Sequence, residues 1–210
     1  MNTTQAAANR CNRFDWPRLE LPGADVRLAR FCDPEQARQW FARLHAEIVW
    51  ERHRLRLFGR EIDAPRLSCW VGDAEAGYTY SRTRFIPRPW TPGLRELRES
   101  LFSHCGKNFN SVLCNLYRNG RDCMGWHSDN EPELGPEPVI ASLSFGAGRR
   151  FRLRGRHDPG LRLELELDSG SLLLMAAATQ ANYRHDLPRS TRVVEPRINL
   201  TFRSILTAAA

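Results

Sequence analysis

Lysine is nearly absent from this chain: Lys107 is the only one among 31 basic residues, so arginine carries the formal charge of +7. A GC-rich coding sequence produces that ratio, and by itself it names no ligand. The net positive sign is a separate matter. A basic surface favours polyanions such as nucleic acid, although many basic proteins bind none. No run of about 18 apolar residues occurs, which excludes a spanning helix and leaves no membrane partner to expect. Residues 1–13 lack the apolar centre of a signal peptide. The six cysteines form no Cys-x-x-Cys pair. With no export signal they read as reduced thiols, and the expected location is the cytoplasm, or the nucleus in a eukaryote. Repeats, low-complexity tracts and a second-domain linker are also missing. The 210 residues therefore read as one domain with a real core, a monomer by default.

What is present falls into two halves. Residues 1–20 are polar and irregular and read as a flexible N-terminal segment, with one catalytic domain over 21–210. Asp33-Pro34-Glu35-Gln36 opens a helix, with Asp as N-cap, Pro in the first turn and Gln three residues after the cap. Ala37, Trp40, Phe41, Leu44 and Ile48 follow at helical spacing. Arg54 to Ile62 reads as a short hairpin with Phe58 at or near its tip. That ring could fold back onto the core, or serve as an apolar wedge between bases. Gly77 to Ser81 alternates, placing Tyr78 and Tyr80 on one strand face. Thr91-Pro92 opens a second helix, with Leu94, Leu97 and Leu101 along its buried stripe.

From Asn110 onward the pattern is all strand: 111–117, 139–145, 151–154, 161–167, 172–175 and 198–205. Two helices followed by six or more short strands predict an α+β, mainly β fold: a jelly-roll barrel (a double-stranded β-helix) with the helices against one side. Arg150, Arg152 and Arg154 share one strand face, which is either simply solvated or suited to a phosphate backbone.

The chemistry centres on Trp126-His127-Ser128-Asp129. His127 and Asp129 are two apart, so in extended backbone they face the same way. An imidazole beside a carboxylate can grip a metal, and His185 offers a third ligand. Two histidines and one carboxylate on one face leave the opposite positions open, as in non-haem Fe(II) oxygenases. Near the C-terminus, Arg197, Asn199, Thr201 and Arg203 alternate with Ile198, Leu200 and Phe202. That polar face is either solvent-exposed or inside the barrel, where a guanidinium suits bidentate capture of a carboxylate.

Asn115-Leu116-Tyr117, Gly125 to Asp129, Ala141 to Gly146, His185 and Arg197-x-Asn199-x-Thr201-Phe202-Arg203 together closely resemble the AlkB family. These are Fe(II)- and 2-oxoglutarate-dependent dioxygenases that repair alkylated nucleic acid. The resemblance runs from about Leu55 to Leu206. It implies that His127, Asp129 and His185 ligate iron. It also implies that Arg197 pairs with the distal carboxylate of 2-oxoglutarate, with Asn115, Tyr117, Asn199 and Thr201 around it and Arg203 near the metal-bound end. The implied reaction hydroxylates an N-alkyl carbon, and the hemiaminal then falls apart to the repaired base and an aldehyde, beside succinate and carbon dioxide.

The resemblance further implies a nucleotide-recognition lid over residues 52–90, above a jelly-roll core over 110–206. Tyr78 and Tyr80, with Ser81 beside them, would hold a flipped base. Phe58, Gly59 and Arg60 would probe an alkylated duplex. One departure concerns the position after Asp129, where relatives tend to carry an acidic residue that contacts the base. Here it is Asn130, with Glu131 next. Either Glu131 substitutes, or neutral adducts such as etheno bases are accepted better than cationic methylated ones. Whether DNA or RNA is the substrate stays open.

Overall fold

The computed structural model describes residues 16–57, 60–80, 83–85 and 87–206. Both predicted helices start where their caps place them. In α1 (Pro34–Glu47), Asp33 accepts from the Gln36 amide at 2.8 Å and Gln36 Oε1 accepts from the Asp33 amide at 3.2 Å, closing the capping box. In α2 (Pro92–Cys105), Thr91 caps the start and Gly106, at φ +62°, ends the helix in the left-handed region that glycine adopts freely. Ala37 and Leu44 of α1 and Leu94, Leu97 and Leu101 of α2 are fully buried. Each such leucine contributes roughly 1.5–3 kcal/mol of apolar transfer free energy.

The helices cover a six-stranded antiparallel sheet. Its strands are β1 (Asp25–Arg30), β4 (Leu67–Gly72), β7 (Ser111–Tyr117), β9 (Ile140–Gly146), β12 (Ser171–Ala176) and β14 (Arg197–Arg203), in the order β1-β12-β9-β14-β7-β4. A four-stranded sheet faces it, in the order β11-β10-β13-β8: β8 (Met124–His127), β10 (Arg149–Gly155), β11 (Arg162–Leu167) and β13 (Tyr183–Leu187). Two hairpins stand apart, β2 (Arg54–Leu57) with β3 (Arg60–Asp63), and β5 (Tyr78–Tyr80) with β6 (Thr83–Phe85). This is the expected jelly roll. Strands β1, β4, β6, β8 and β13 were not among the strand segments read from the sequence; β1, β4 and β13 are short segments completed only by partners far along the chain.

The period of two divides the large sheet's side chains between two cores. Ile198, Leu200 and Phe202 of β14 join Cys114, Leu143 and Phe145 beneath the helices. The opposite faces of the same strands point into the barrel. There they meet Phe151, Leu153, Leu167, Leu173, Met175 and Tyr183. The N-terminal stretch is tied down from Trp16, which packs against the helix-side core, and the Leu19 amide donates to the Val26 carbonyl at 2.8 Å. Among the described residues no helix is long and apolar enough to cross a membrane.

Candidate metal and cosubstrate site

Strand β14 occupies the middle of the large sheet, so its inward face is the barrel floor. Arg197, Asn199, Thr201 and Arg203 all lie on that face and all are buried. The antiparallel register sets Tyr117 opposite Arg197 and Asn115 opposite Asn199 on one side, and Ser144 opposite Asn199 and Ser142 opposite Thr201 on the other. The polar face is therefore inside the barrel, not in solvent.

Their hydrogen bonds separate braces from open donors. Asn199 Nδ2 donates to Ser142 Oγ at 2.8 Å and to the Leu143 carbonyl at 3.0 Å, and Asn199 Oδ1 accepts from Thr201 Oγ1 at 3.2 Å. Asn115 Oδ1 accepts from Arg66 Nε at 2.7 Å. Arg197 is different. Its Nη2 donates to Ser144 Oγ at 2.9 Å, while its Nε and Nη1 are buried with no hydrogen-bond partner among the described residues. A guanidinium normally loses most of its five donors to partners when buried. Burial, joined by repulsion from Arg149 and opposed by Tyr117, pushes the Arg197 pKa down to about 10. It remains a cation at neutral pH, with donors aimed into a cleft. Tyr117 lies against both Arg197 and Arg149, whose guanidinium carbons stand 5.5 and 5.7 Å from its ring centre.

At the mouth of the same cleft are His127, Asp129 and His185, each offering one ligand atom, all within 4.8 Å of one another. His127 and His185 are direct partners across β8 and β13. The His127 Nδ1 lies 2.8 Å from the Gly125 carbonyl, which can only accept. Nδ1 therefore carries the proton and Nε2 is left for a metal. Burial, with repulsion from His127, pushes the His185 pKa down to about 3, so its imidazole is neutral and ready to ligate. Burial alone would raise Asp129. The Arg203 guanidinium beside it, with the two imidazoles, instead holds its carboxyl below the usual range. Arg203 Nη2 donates to Asp129 Oδ1 at 2.5 Å, with both side chains buried.

His127 is the last residue of β8 and Asp129 lies two residues on, outside the strand, yet the Asp129 ligand atom still comes within 4.8 Å of those of both histidines, in keeping with the same-face expectation. The position of Asp129 depends on side-chain tethers rather than on the strand ladder.

Glu131 is half-buried with one carboxylate oxygen unpartnered among the described residues. Burial and the nearby Asp129 push its pKa up, against Arg203. Asn130 is exposed; its amide can donate to the Ser128 carbonyl and accept from Arg156 Nη1, both at 3.2 Å. Phe58, Gly59 and Ser81 lie outside the described residues. Arg60 begins β3 opposite Leu57, and Tyr78 and Tyr80 fall on β5 opposite Phe85 and Thr83. Arg150, Arg152 and Arg154 do share one face of β10, but Arg152 is held by Asp186 at 2.8 and 2.5 Å and Arg154 stacks on Trp126.

Sequence reasoning assigned no role to Ser142, Ser144, Arg66, Arg149 or Gln180. The serines carried a usable signal, since they alternate along a strand with Ala141, Leu143 and Phe145. The others reach the site from distant segments, and no local pattern marks them.

A jelly roll with an open two-histidine, one-carboxylate cluster above a buried arginine is the architecture of a metal- and oxoacid-dependent oxygenase. The sequence profile of the 2OG-Fe(II) oxygenase superfamily matches residues 25–203. Alpha-ketoglutarate-dependent dioxygenase alkB homolog 3 of Bos taurus is 42% identical over 184 residues, covering 83% of this chain and 64% of that protein. DNA oxidative demethylase ALKBH2 of Mus musculus is 37% identical over 202 residues, covering 91% of this chain and 84% of that protein. The solved structure titled "The structure of OsALKBH1" superposes with a TM-score of 0.60 at 14% identity, covering 90% of this chain and 99% of that one, which shows the shared fold. The chain belongs to the 2OG-Fe(II) oxygenase superfamily, and within it to the AlkB family. It spans just under two thirds of the length of the alkB homolog 3 relatives.

Proposed function

We propose that this protein is an iron- and 2-oxoglutarate-dependent dioxygenase that removes N-linked alkyl groups from bases in DNA. The observation that carries the reading is one cleft lined by both the His127–Asp129–His185 cluster and the buried, under-bonded Arg197. The donor set fits Fe(II): two imidazoles, one ionised carboxylate and an open side. Unused N–H groups on a buried cation fit a carboxylate.

In this reading His127, Asp129 and His185 hold the metal, and Arg203 keeps Asp129 ionised and oriented. Bound Fe(II), with O2 and 2-oxoglutarate, supplies the oxidising power that hydroxylates the N-alkyl carbon. Arg197 takes the distal carboxylate through Nε and Nη1, with Tyr117 and Thr201 beside it. Asn199 and Ser142 brace that floor, as does Arg66 through Asn115. The apolar wall of Leu113, Met124, Phe151 and Leu167 excludes water from the oxoacid's chain. Residues 52–90 act as the lid above the 110–206 core, with Tyr78 and Tyr80 stacking the flipped base. Glu131 stands in for the acidic base contact that Asn130 lacks. Purified protein with Fe(II), 2-oxoglutarate and oxygen, given methylated and etheno oligonucleotides, should release succinate in step with loss of the alkyl mass. Succinate formation unaffected by every oligonucleotide would show that the substrate is of another class.

The lid makes its own prediction. If Phe58 fills the gap left by a flipped base, Phe58→Ala should slow repair of duplex substrate by about tenfold, the value of 1.4 kcal/mol of lost gap-filling. Repair of the same lesion in a single strand, which has no stack to reopen, should be nearly unchanged. Matched single- and double-stranded rates check this. An equal loss on both, with a lower melting temperature, would make Phe58 a core residue.

A further inference from the structure

Asp129 has no partner strand, yet it is 2% exposed and its carboxylate must be placed to within a fraction of an ångström to share a metal with two histidines. Its backbone holds the answer. The Asp129 amide donates to Gln180 Oε1 at 2.9 Å, and Gln180 is itself 1% exposed. The other end of that side chain is also engaged: Gln180 Nε2 donates to Met175 Sδ at 3.5 Å, on β12. Gln180 sits in a single helical turn, α3 (Thr179–Asn182), which leads directly into β13 and His185. Thr179 pins that turn by donating to the Ala176 carbonyl at 2.5 Å and accepting from the Asp25 amide at 2.9 Å. The same segment holds the residue before Asp129, since Ser128 Oγ donates to the Tyr183 carbonyl at 2.7 Å.

We propose that Gln180 is a positioning residue for the metal centre: it contributes no ligand atom, but clamps the Asp129 backbone to the segment that carries His185. The inference rests on the reading of His127, Asp129 and His185 as the metal site. The physical reason is the cost of a buried N–H without an acceptor. If Gln180 loses its oxygen, the segment 128–130 must rotate to find water for the Asp129 amide. The carboxylate rotates with it, away from the two imidazoles. Arg203 still grips Oδ1, so the carboxylate stays ionised while its aim is lost. The effect therefore falls on metal geometry rather than on charge.

The test is Co(II) titration of the full-length apoprotein, followed by its ligand-field absorption, without oxoacid or nucleic acid. Gln180→Leu removes the acceptor at similar size. Leu97→Ala, beneath the large sheet and away from the cleft, serves as a variant that is destabilised but keeps the tether. Gln180→Leu is expected to bind Co(II) ten- to a hundredfold more weakly, the range typical of removing a partner of a metal ligand, and to show an altered absorption band. Leu97→Ala should melt lower yet keep the wild-type affinity and spectrum. Wild-type affinity and spectrum in Gln180→Leu would overturn the inference while leaving the metal reading intact. So would equal weakening in Leu97→Ala. A wild-type protein that binds no Co(II) would overturn both.

Discussion

His185→Ala and Asp129→Asn are expected to abolish dealkylation, with turnover below detection at any Fe(II) concentration tolerated by the assay. His185→Ala deletes one of three groups whose ligand atoms lie within 4.8 Å of one another, and Asp129→Asn replaces the anionic carboxylate with a neutral amide, so that in each case the metal is left loosely held. Stability separates the substitutions at Asp129. Asp129→Asn keeps the shape and an oxygen for Arg203. Asp129→Ala leaves the Arg203 Nη2 group without its buried carboxylate, a loss of about 3–5 kcal/mol when one side of such a pair is removed. In a chain of this size that lowers the apoprotein melting temperature by on the order of ten degrees. Succinate release and thermal melts of the three variants check both halves. Near-normal dealkylation by either His185→Ala or Asp129→Asn would refute the assignment of the metal ligands.

Arg197→Met is expected to raise the 2-oxoglutarate requirement by on the order of a hundredfold or more. A buried carboxylate that loses its charge-assisted partner forfeits about 3–5 kcal/mol. The apoprotein should behave in the opposite way. Arg197 is buried as a cation with two donor positions unpartnered among the described residues, a desolvation cost that an apolar side chain of similar length does not carry. Arg197→Met should therefore melt no lower than wild type without ligand, yet lose the upward shift that 2-oxoglutarate with Mn(II) confers on wild type by mass action. Saturation curves for 2-oxoglutarate and melts with and without it measure the two effects. An unchanged requirement would remove Arg197 from the cosubstrate site.

The parts of the molecule governed by short-range rules were legible. A capping box depends on four consecutive residues, and Asp33 to Gln36 formed it as expected. Strand alternation depends on the next residue but one, so the split of Arg197 to Arg203 into an apolar and a polar face could be read directly. The resemblance then resolved which face lies inside. The same logic set His127 and Asp129 side by side, and their ligand atoms do meet, although β8 stops at the histidine and the strand ladder does not carry the aspartate.

The sequence by itself determined the jelly-roll class, the identity of the three candidate metal ligands and the polar face that carries Arg197. Each is a pattern of period two or of residue type in fixed order. Only the tertiary structure decided which donors remain open and which are spent. Asn199 turns inward to Ser142 and Leu143, Asn115 to Arg66, and Arg197 keeps Nε and Nη1 for something else. It also decided that Asp129 is held by Arg203 and Gln180, seventy-four and fifty-one residues away. Such contacts are set by which strands lie side by side in the barrel. Strand order follows from the packing of the whole chain, so no window of sequence contains it.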